Sequence, residues 1–224
     1  MNRIALVIAL LLNLQIVFGA NGDSTDNFKG KGYFVSLVPQ YILINGICLD
    51  VEKRIKQSNH AISISPKFYI SEFDGSEWIY SVPNDMSMRG YGVELKHKIY
   101  LKEWLSGDVN WYGSFSFFHQ GFYFDYRDEG WVSFVENGTT FFRIEEIDQS
   151  LSINQYGGFV TIGLVYKLDD RVFFDNYYGI GFKSSNSRDS SIGERYKNQF
   201  DDGSLNYGYT GTLWNAGIKI GFLF

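Results

Sequence analysis

The last ten residues read NAGIKIGFLF, positions 215–224. Counting back from Phe224, every second residue is apolar: Phe222, Ile220, Ile218, then Ala216 and Trp214. Between them stand Asn215, Gly217, Lys219 and Gly221. A period of two belongs to an extended strand with one apolar and one polar face. Chain ends ordinarily fray and carry polar side chains; this one is patterned for burial on one side.

Working outward, the same period recurs. In ICLDVEKRIK (47–56), Ile47, Leu49, Val51 and Ile55 oppose Cys48, Asp50, Glu52, Arg54 and Lys56. A helix would scatter those charges around its circumference, whereas a strand gathers them on one side. HAISISPKFYI (60–70), YGVELKHKIYL (91–101), GGFVTIGLVYKL (157–168) and FFDNYYGIGFK (173–183) alternate in the same way, with Pro66 an irregularity because proline lacks a ladder donor. WYGSFSFFHQGFYF (111–124) is aromatic on both faces, which leaves its register open. GYFVSLVPQYILI (32–44) is β-rich, and Asn45-Gly46 after it reads as a two-residue hairpin turn. With a closing strand over 209–224, eight strands are predicted.

The totals agree with an all-β chain. Its 224 residues include 16 Tyr, 20 Phe, 5 Trp and 24 Gly but only 3 Pro, a composition that favours strands and tight turns over helices. A net charge of −5 speaks against a nucleic-acid partner, which selects for a basic face. The single cysteine, Cys48, has no intramolecular disulfide partner and reads as a small sequestered side chain; no Cys/His spacing marks a metal site, and no cofactor is implied.

Residues 1–20, MNRIALVIALLLNLQIVFGA, have the build of a secretory leader: Arg3, an apolar run from Ile4 to Leu12, and small residues before a cleavage site after Gly19 or Ala20. Residues 21–31 would be a short N-terminal segment on the periplasmic side, with the barrel domain over 32–224. No later stretch holds 18 consecutive apolar residues, so no membrane helix is expected. Three architectures alternate polar and apolar faces: a soluble sandwich, a soluble lipocalin-type barrel with its apolar face inward, and a membrane barrel with its apolar face outward.

Three features favour the last. Many strands run to membrane-crossing length, and the connections alternate between short (57–59, 102–110, 169–172) and long (71–89, 125–156, 184–208). Glycines fall on the charged face, where an eight-stranded interior has room only for side chains. Aromatics such as Tyr91, Trp111, Tyr166 and Phe222 sit near strand ends. The fold expected is therefore an eight-stranded antiparallel up-and-down transmembrane β-barrel. WVSFVENGTTFFRI (131–144), inside the fifth connection, carries its own hairpin signal with arms too short to cross, and reads as a hairpin rising above the rim.

The C-terminal stretch resembles the assembly signal of Gram-negative outer-membrane proteins: Asn215, Gly217 two places on, then Ile220, Phe222 and the terminal Phe224. At the level of pattern, residues 32–224 resemble the small outer-membrane barrels of OmpA-barrel and OmpX-like architecture. What this resemblance implies is place and fold: contact with outer-membrane lipid, and insertion by the barrel-assembly machinery. Such scaffolds carry adhesive, structural, pore and enzymatic roles, so fold alone does not give function.

The face expected to line the lumen carries Asp50, Glu52, Arg54, Lys67, Glu94, Lys96, Lys98, Lys167, Asp175, Lys183 and Lys219. Charges in so narrow a space must pair, which points to a network that fills the lumen rather than a conducting path. The histidines, His60, His97 and His119, do not assemble with serine and acid into a catalytic set, so a lipid A-modifying enzyme ranks below a non-enzymatic role. The acidic stretches YRDEG (126–130) and NQFDDGS (198–204) match no calcium loop and read as solvated loops. Trp78, Tyr80, Trp131 and Phe134 either form a loop surface facing an extracellular or envelope protein partner or equally pack the loops onto one another. The function expected is structural or surface-binding, with an accessory subunit of a larger envelope complex as the alternative.

Overall fold

The computed structural model describes residues 33–55, 58–73, 86–101, 109–169, 171–189 and 207–224. Eight antiparallel strands form one closed ring in chain order: β1 Tyr33–Leu37, β2 Gly46–Arg54, β3 His60–Phe73, β4 Met86–Tyr100, β5 Val109–Glu136, β6 Thr139–Lys167, β7 Val172–Asp189 and β8 Gly211–Leu223. The leader (1–20), segment 21–31, Lys56, Trp78, Tyr80 and stretch 198–204 lie outside the described residues.

The faces separate along each strand as the alternation requires. Asp50, Glu52, Lys67, Glu94, Lys96, Lys98, Asp175 and Lys219 are buried inside the ring, while Ile62, Ile64, Phe68, Leu95, Phe117, Val160 and Trp214 are exposed outside it. The fifth strand resolves on the same rule. Tyr112, Phe118, Phe122 and Phe124 point inward, and Phe115, Phe117 and Tyr123 point outward. Inward aromatics fit because small residues face them: a Cβ on Gly163 would run into the Tyr112 ring. Pro66 sits within β3, where its pairing to β4 holds (Pro66↔Val93). The ladder to β2 lapses at this point and resumes in the same register, with Cys48↔Lys67 on one side and Val51↔Ile64 on the other.

Two expectations are corrected. The first segment is not a strand through residue 44: β1 stops at Leu37 and the chain turns into a 3₁₀ helix, Pro39–Ile44. Proline fixes φ and removes a donor, which suits the start of a helix and not the middle of a ladder. Asn45-Gly46 is accordingly no hairpin turn; Asn45 adopts the left-handed conformation at φ 56° and closes the 3₁₀ helix. The second correction concerns 125–156, which is not a loop. Its arms are continuous with β5 and β6, paired without a break from Val109↔Tyr166 to Glu136↔Thr139. The expected hairpin above the rim is the outer part of these two strands, turning at Asn137 (φ 54°) and Gly138 (φ 78°), as a type I′ turn requires. YRDEG (126–130) thereby belongs to a strand and not to a loop.

Early termination of β1 leaves a seam. β1 and β8 pair only from Phe34↔Leu223 to Leu37↔Ile220, with Tyr33 and Phe224 exchanging both backbone bonds below. Since Phe224, Phe222 and Ile220 direct their backbone groups toward β1, so by the strand period do Ile218, Ala216 and Trp214, beyond the end of β1. Among the described residues no strand pairs with that stretch. The 3₁₀ helix takes its place at Ile218, whose amide donates to Gln40 Oε1 at 3.4 Å, while Gln40 Nε2 donates to the Tyr177 hydroxyl at 2.7 Å. Gly217 leaves room beside them: a Cβ there would displace the Gln40 amide and crowd the Tyr177 hydroxyl. Gln40→Ala removes both bonds and is expected to cost about 1–3 kcal/mol. Checked by the temperature at which the folded barrel unfolds in detergent, the variant should convert at lower temperature than the parent; an unchanged midpoint would show that Gln40 does not hold the seam.

Candidate functional site

The interior is the first place where chemistry-bearing side chains converge. It is built in tiers. At the end where Tyr33 and Phe224 meet, Phe34, Ala61, Tyr100, Tyr112, Val165, Phe173, Tyr177 and Leu223 pack into an apolar floor. At the opposite end Tyr69, Met86, Met88, Phe122, Phe124, Tyr126, Leu151 and Ile153 form a second cluster, with Tyr41 and Tyr207 against it. Between them lie the charges.

Lys98 of β4 is the hub of the middle tier. Its ammonium is 2.7 Å from Glu52 Oε2 on β2 and 3.0 Å from Asp175 Oδ2 on β7. The remaining oxygens accept from tyrosines, Glu52 Oε1 from Tyr100 at 2.6 Å and Asp175 Oδ1 from Tyr112 at 2.8 Å. Lys219 of β8 pairs with Asp50 Oδ2 on β2, and Ser65 donates to Asp50 Oδ1 at 2.7 Å. Lys67 of β3 meets Glu94 Oε2 at 2.9 Å, and Lys96 meets Glu94 Oε1 at 3.2 Å. Four carboxylates and four ammoniums thus balance, and Lys98 and Lys219 tie strands that are not neighbours in the ring.

Aromatic faces complete the shell of the cations. Lys98 lies 4.2 Å from the Tyr112 ring centre, Lys67 5.1 Å from Tyr41, and Lys96 and Lys219 each 5.5 Å from Tyr177. The other predicted lumen charges sit at the edges of this network. Arg54 is half-buried near the floor, 4.3 Å from the Tyr100 ring and 4.9 Å from Phe34. Lys167 is half-buried at the same end. Lys183 is buried nearer the opposite end, 5.7 Å from the Tyr209 ring. Cys48 is buried on the inward face.

Sequence reasoning missed the parts that come from outside the strands. Gln40 and Tyr41 enter the interior from the 3₁₀ helix. Tyr207 descends from the other end, its ring 4.6 Å from Phe122 and 5.4 Å from Phe124, with its carbonyl accepting from Gln155. Neither segment has a period-two pattern to mark it; Pro39 was the available signal for the first.

The histidines stand apart from the network. His60 and His97 stack with ring centres 5.0 Å apart, His60 Nδ1 and His97 Nε2 separated by 3.0 Å, and His97 meets Phe115 edge-on. His119 is exposed on the outer face of β5. Among the described residues, no imidazole is hydrogen-bonded to a carboxylate or a serine hydroxyl, and no group of three or more His, Cys, Asp and Glu is placed to hold a metal. The predicted assembly-signal residues occupy both faces of β8: Asn215 and Gly217 fall on the inward positions, Ile220 and Phe222 on the outward ones, and Phe224 bonds to Tyr33.

No family model and no curated protein matches the sequence. Among solved structures the chain is similar to a major outer membrane protein from Thermus thermophilus, with 13% identity and a TM-score of 0.49 over 87% of this chain and 100% of that one. It is also similar to the N-terminal β-barrel domain of Pseudomonas aeruginosa OprF (12% identity, TM-score 0.35, 86% and 93% covered) and to Acinetobacter baumannii CarO (10%, 0.37, 89% and 100%).

Lys98→Met removes the hub and leaves the Glu52 and Asp175 carboxylates facing each other in a closed interior. A loss of about 3–5 kcal/mol is expected, read as a lower denaturant midpoint in detergent. Lys98→Met combined with Glu52→Gln and Asp175→Asn should regain part of it, since no unpaired charge is left. Equal stability of the single variant and the parent would contradict the hub role.

Proposed function

We propose that the protein is a non-enzymatic outer-membrane β-barrel that does not conduct, and that it serves as a rigid scaffold for a surface-binding arm. One observation carries this reading. The outward positions of 62–70, 91–101, 111–123, 156–168, 174–182 and 212–222 hold no Asp, Glu, Lys or Arg, while the inward positions hold a paired charge network. The ten residues of β4 from Tyr91 to Tyr100 at ~3.3 Å each, tilted ~40°, give an apolar band about 25 Å tall, the thickness a membrane barrel presents to lipid.

Aromatics border the band. Trp111, Tyr166 and Phe222 stand near one edge, and Tyr91 and Tyr123, with rings 6.3 Å apart, toward the other. A soluble barrel with the same ring would expose Phe117 (69%), Ile70 (70%) and Trp214 (83%) to water. The leader at 1–20 supports export, with 21–31 at the periplasmic face and the termini of the barrel on that side. The C-terminal pattern supports insertion by the barrel-assembly machinery. The floor cluster, the charge tier and the Tyr207 cluster support a closed lumen, because each spans the interior with its own side chains. A second reading, an accessory subunit of a larger envelope complex, draws support from the edge of β8 above β1, where backbone groups at membrane depth call for a partner.

The test is gel mobility of the protein extracted from outer membranes, unboiled against boiled, followed by recordings in planar lipid bilayers. A heat-dependent shift without conductance steps is expected. Recovery in the soluble periplasmic fraction would refute the membrane reading, and discrete open-channel steps would refute the closed lumen.

A further inference from the structure

Beyond the rim, β5 and β6 continue as a two-stranded ribbon that no other strand joins among the described residues. The last rung shared with β4 is Ser87↔Asp125, and the last shared with β7 is Leu151↔Asp189. From Arg127↔Asp148 to the turn the two arms pair only with each other among the described residues, and each arm runs for about 33 Å. A two-stranded ribbon is marginal in water unless something covers a face.

Its two faces differ. The face that continues the lumen side packs on itself. The Phe134 and Phe141 rings stack at 5.5 Å, Arg143 lies 5.2 Å from the Phe134 ring, and Arg143 Nη2 pairs with Glu145 Oε1 at 2.5 Å. Ile147 fills the place above Gly130 where a Cβ would stand. The face that continues the outer wall has no such cover among the described residues. Trp131 is opposite Ile144 and Ser133 opposite Phe142, with Val135 next along; the four apolar side chains are 56–71% exposed.

This apolar quartet is not an extension of the lipid-facing band. Three polar rungs intervene, Asp125↔Ser150, Arg127↔Asp148 and Glu129↔Glu146, an interval of ~20 Å with a groove of about 470 Å³ at its lower part. Glu129 and Glu146 are directly opposite each other, immediately below Trp131 and Ile144, an arrangement that is repulsive unless a cation lies between or beside them. From 127 to 149 the sequence holds six Asp or Glu and two Arg, a net charge of −4.

We propose that this outer face of the ribbon is a docking site for a cationic polypeptide whose aliphatic or aromatic side chains cover the Trp131–Phe142 patch and whose Lys or Arg side chains meet Glu129 and Glu146. The inference rests on the surface-binding scaffold proposed above. Charge selects this occupant over two others. Two copies in one membrane stand in the same orientation, so their acidic rungs would meet at equal height and repel. An anionic lipid surface is opposed by the ribbon's own charge.

The test uses the full-length protein refolded into phosphatidylcholine nanodiscs and three fluorescein-labelled probes of about ten residues, the length of one arm, alternating Phe with Lys, with Gln or with Glu. Saturable binding is expected in the order Lys, Gln, Glu, with at least about a tenfold gap between the Lys and Glu probes at low salt that narrows as salt rises. Trp131→Ser with Phe142→Ser should weaken the Lys probe about tenfold. Glu129→Gln with Glu146→Gln should bring it to the level of the Gln probe. Equal binding of the Lys and Gln probes, full affinity in the serine variant, or ribbon-dependent self-association would each overturn the proposal. The boiled-versus-unboiled shift is read on the same preparations: its loss in the parent protein fails the barrel reading, whereas its presence with binding absent fails this inference alone.

Discussion

The placement of four ammoniums and four carboxylates, joined in three groups, inside a closed ring is the constraint on which the rest of the structure depends. A lone buried charge is too costly to keep, so every inward Asp, Glu and Lys of the middle tier needs a partner, and all but Lys96, which meets Glu94 on its own strand, find one on another strand. Those partners fix the strands against one another. Lys98 cannot reach Glu52 and Asp175 together unless β2, β4 and β7 hold their register, and Lys219 cannot reach Asp50 unless β8 closes beside β1. A slip of one residue would turn each of these charges outward. The network thus contributes register more than net stability, and the same charges on the outer wall would forbid a lipid-facing surface.

The outer wall follows as the complement. Once the charge network is assigned inward, Ile, Leu, Val and aromatics dominate the alternate positions, with Lys53 near the floor an outward charge, and a soluble solution would have to bury the apolar residues elsewhere. No second sheet is present among the described residues to do so. The weak part of the wall is the seam, where β1 spans only Tyr33–Leu37 and the Gln40 side chain stands in for a strand. The interior at that height is occupied by Tyr41, Tyr69 and Lys67, so the seam does not lead to an empty lumen.

Much of this was legible in the sequence because period two is a direct imprint of a two-faced wall. Ile47 to Lys56 and Tyr91 to Leu101 each assign their faces without any knowledge of neighbours. The fifth strand was not legible, because Phe115 and Phe118 are equally apolar and only their neighbours, such as the glycine facing Tyr112, decide which points inward. The segment after Leu37 misled for a related reason: Tyr41, Ile42, Leu43 and Ile44 have β propensity, yet Pro39 and the left-handed Asn45 govern the backbone there. The ribbon beyond the rim was visible as a hairpin but not as a continuation of β5 and β6, since nothing in Arg127 to Gly130 signals that a strand persists past the sheet that supports it. The charge network was visible as a list of inward residues, while the pairing of Lys98 with both Glu52 and Asp175 depends on three-dimensional proximity across the ring.

Contact of the barrel's apolar face with lipid is what separates this fold from a soluble barrel of the same ring. Its most direct measurement is the collision rate of nitroxide labels with oxygen and with a water-soluble nickel chelate, in protein reconstituted into vesicles. Labels would replace Val93, Leu95 and Ile99 on the outer wall and Ser133 on the ribbon. The three wall positions are expected to favour oxygen, with the chelate excluded, while position 133 is open to the chelate. Free access of the chelate to all four positions would contradict contact with lipid.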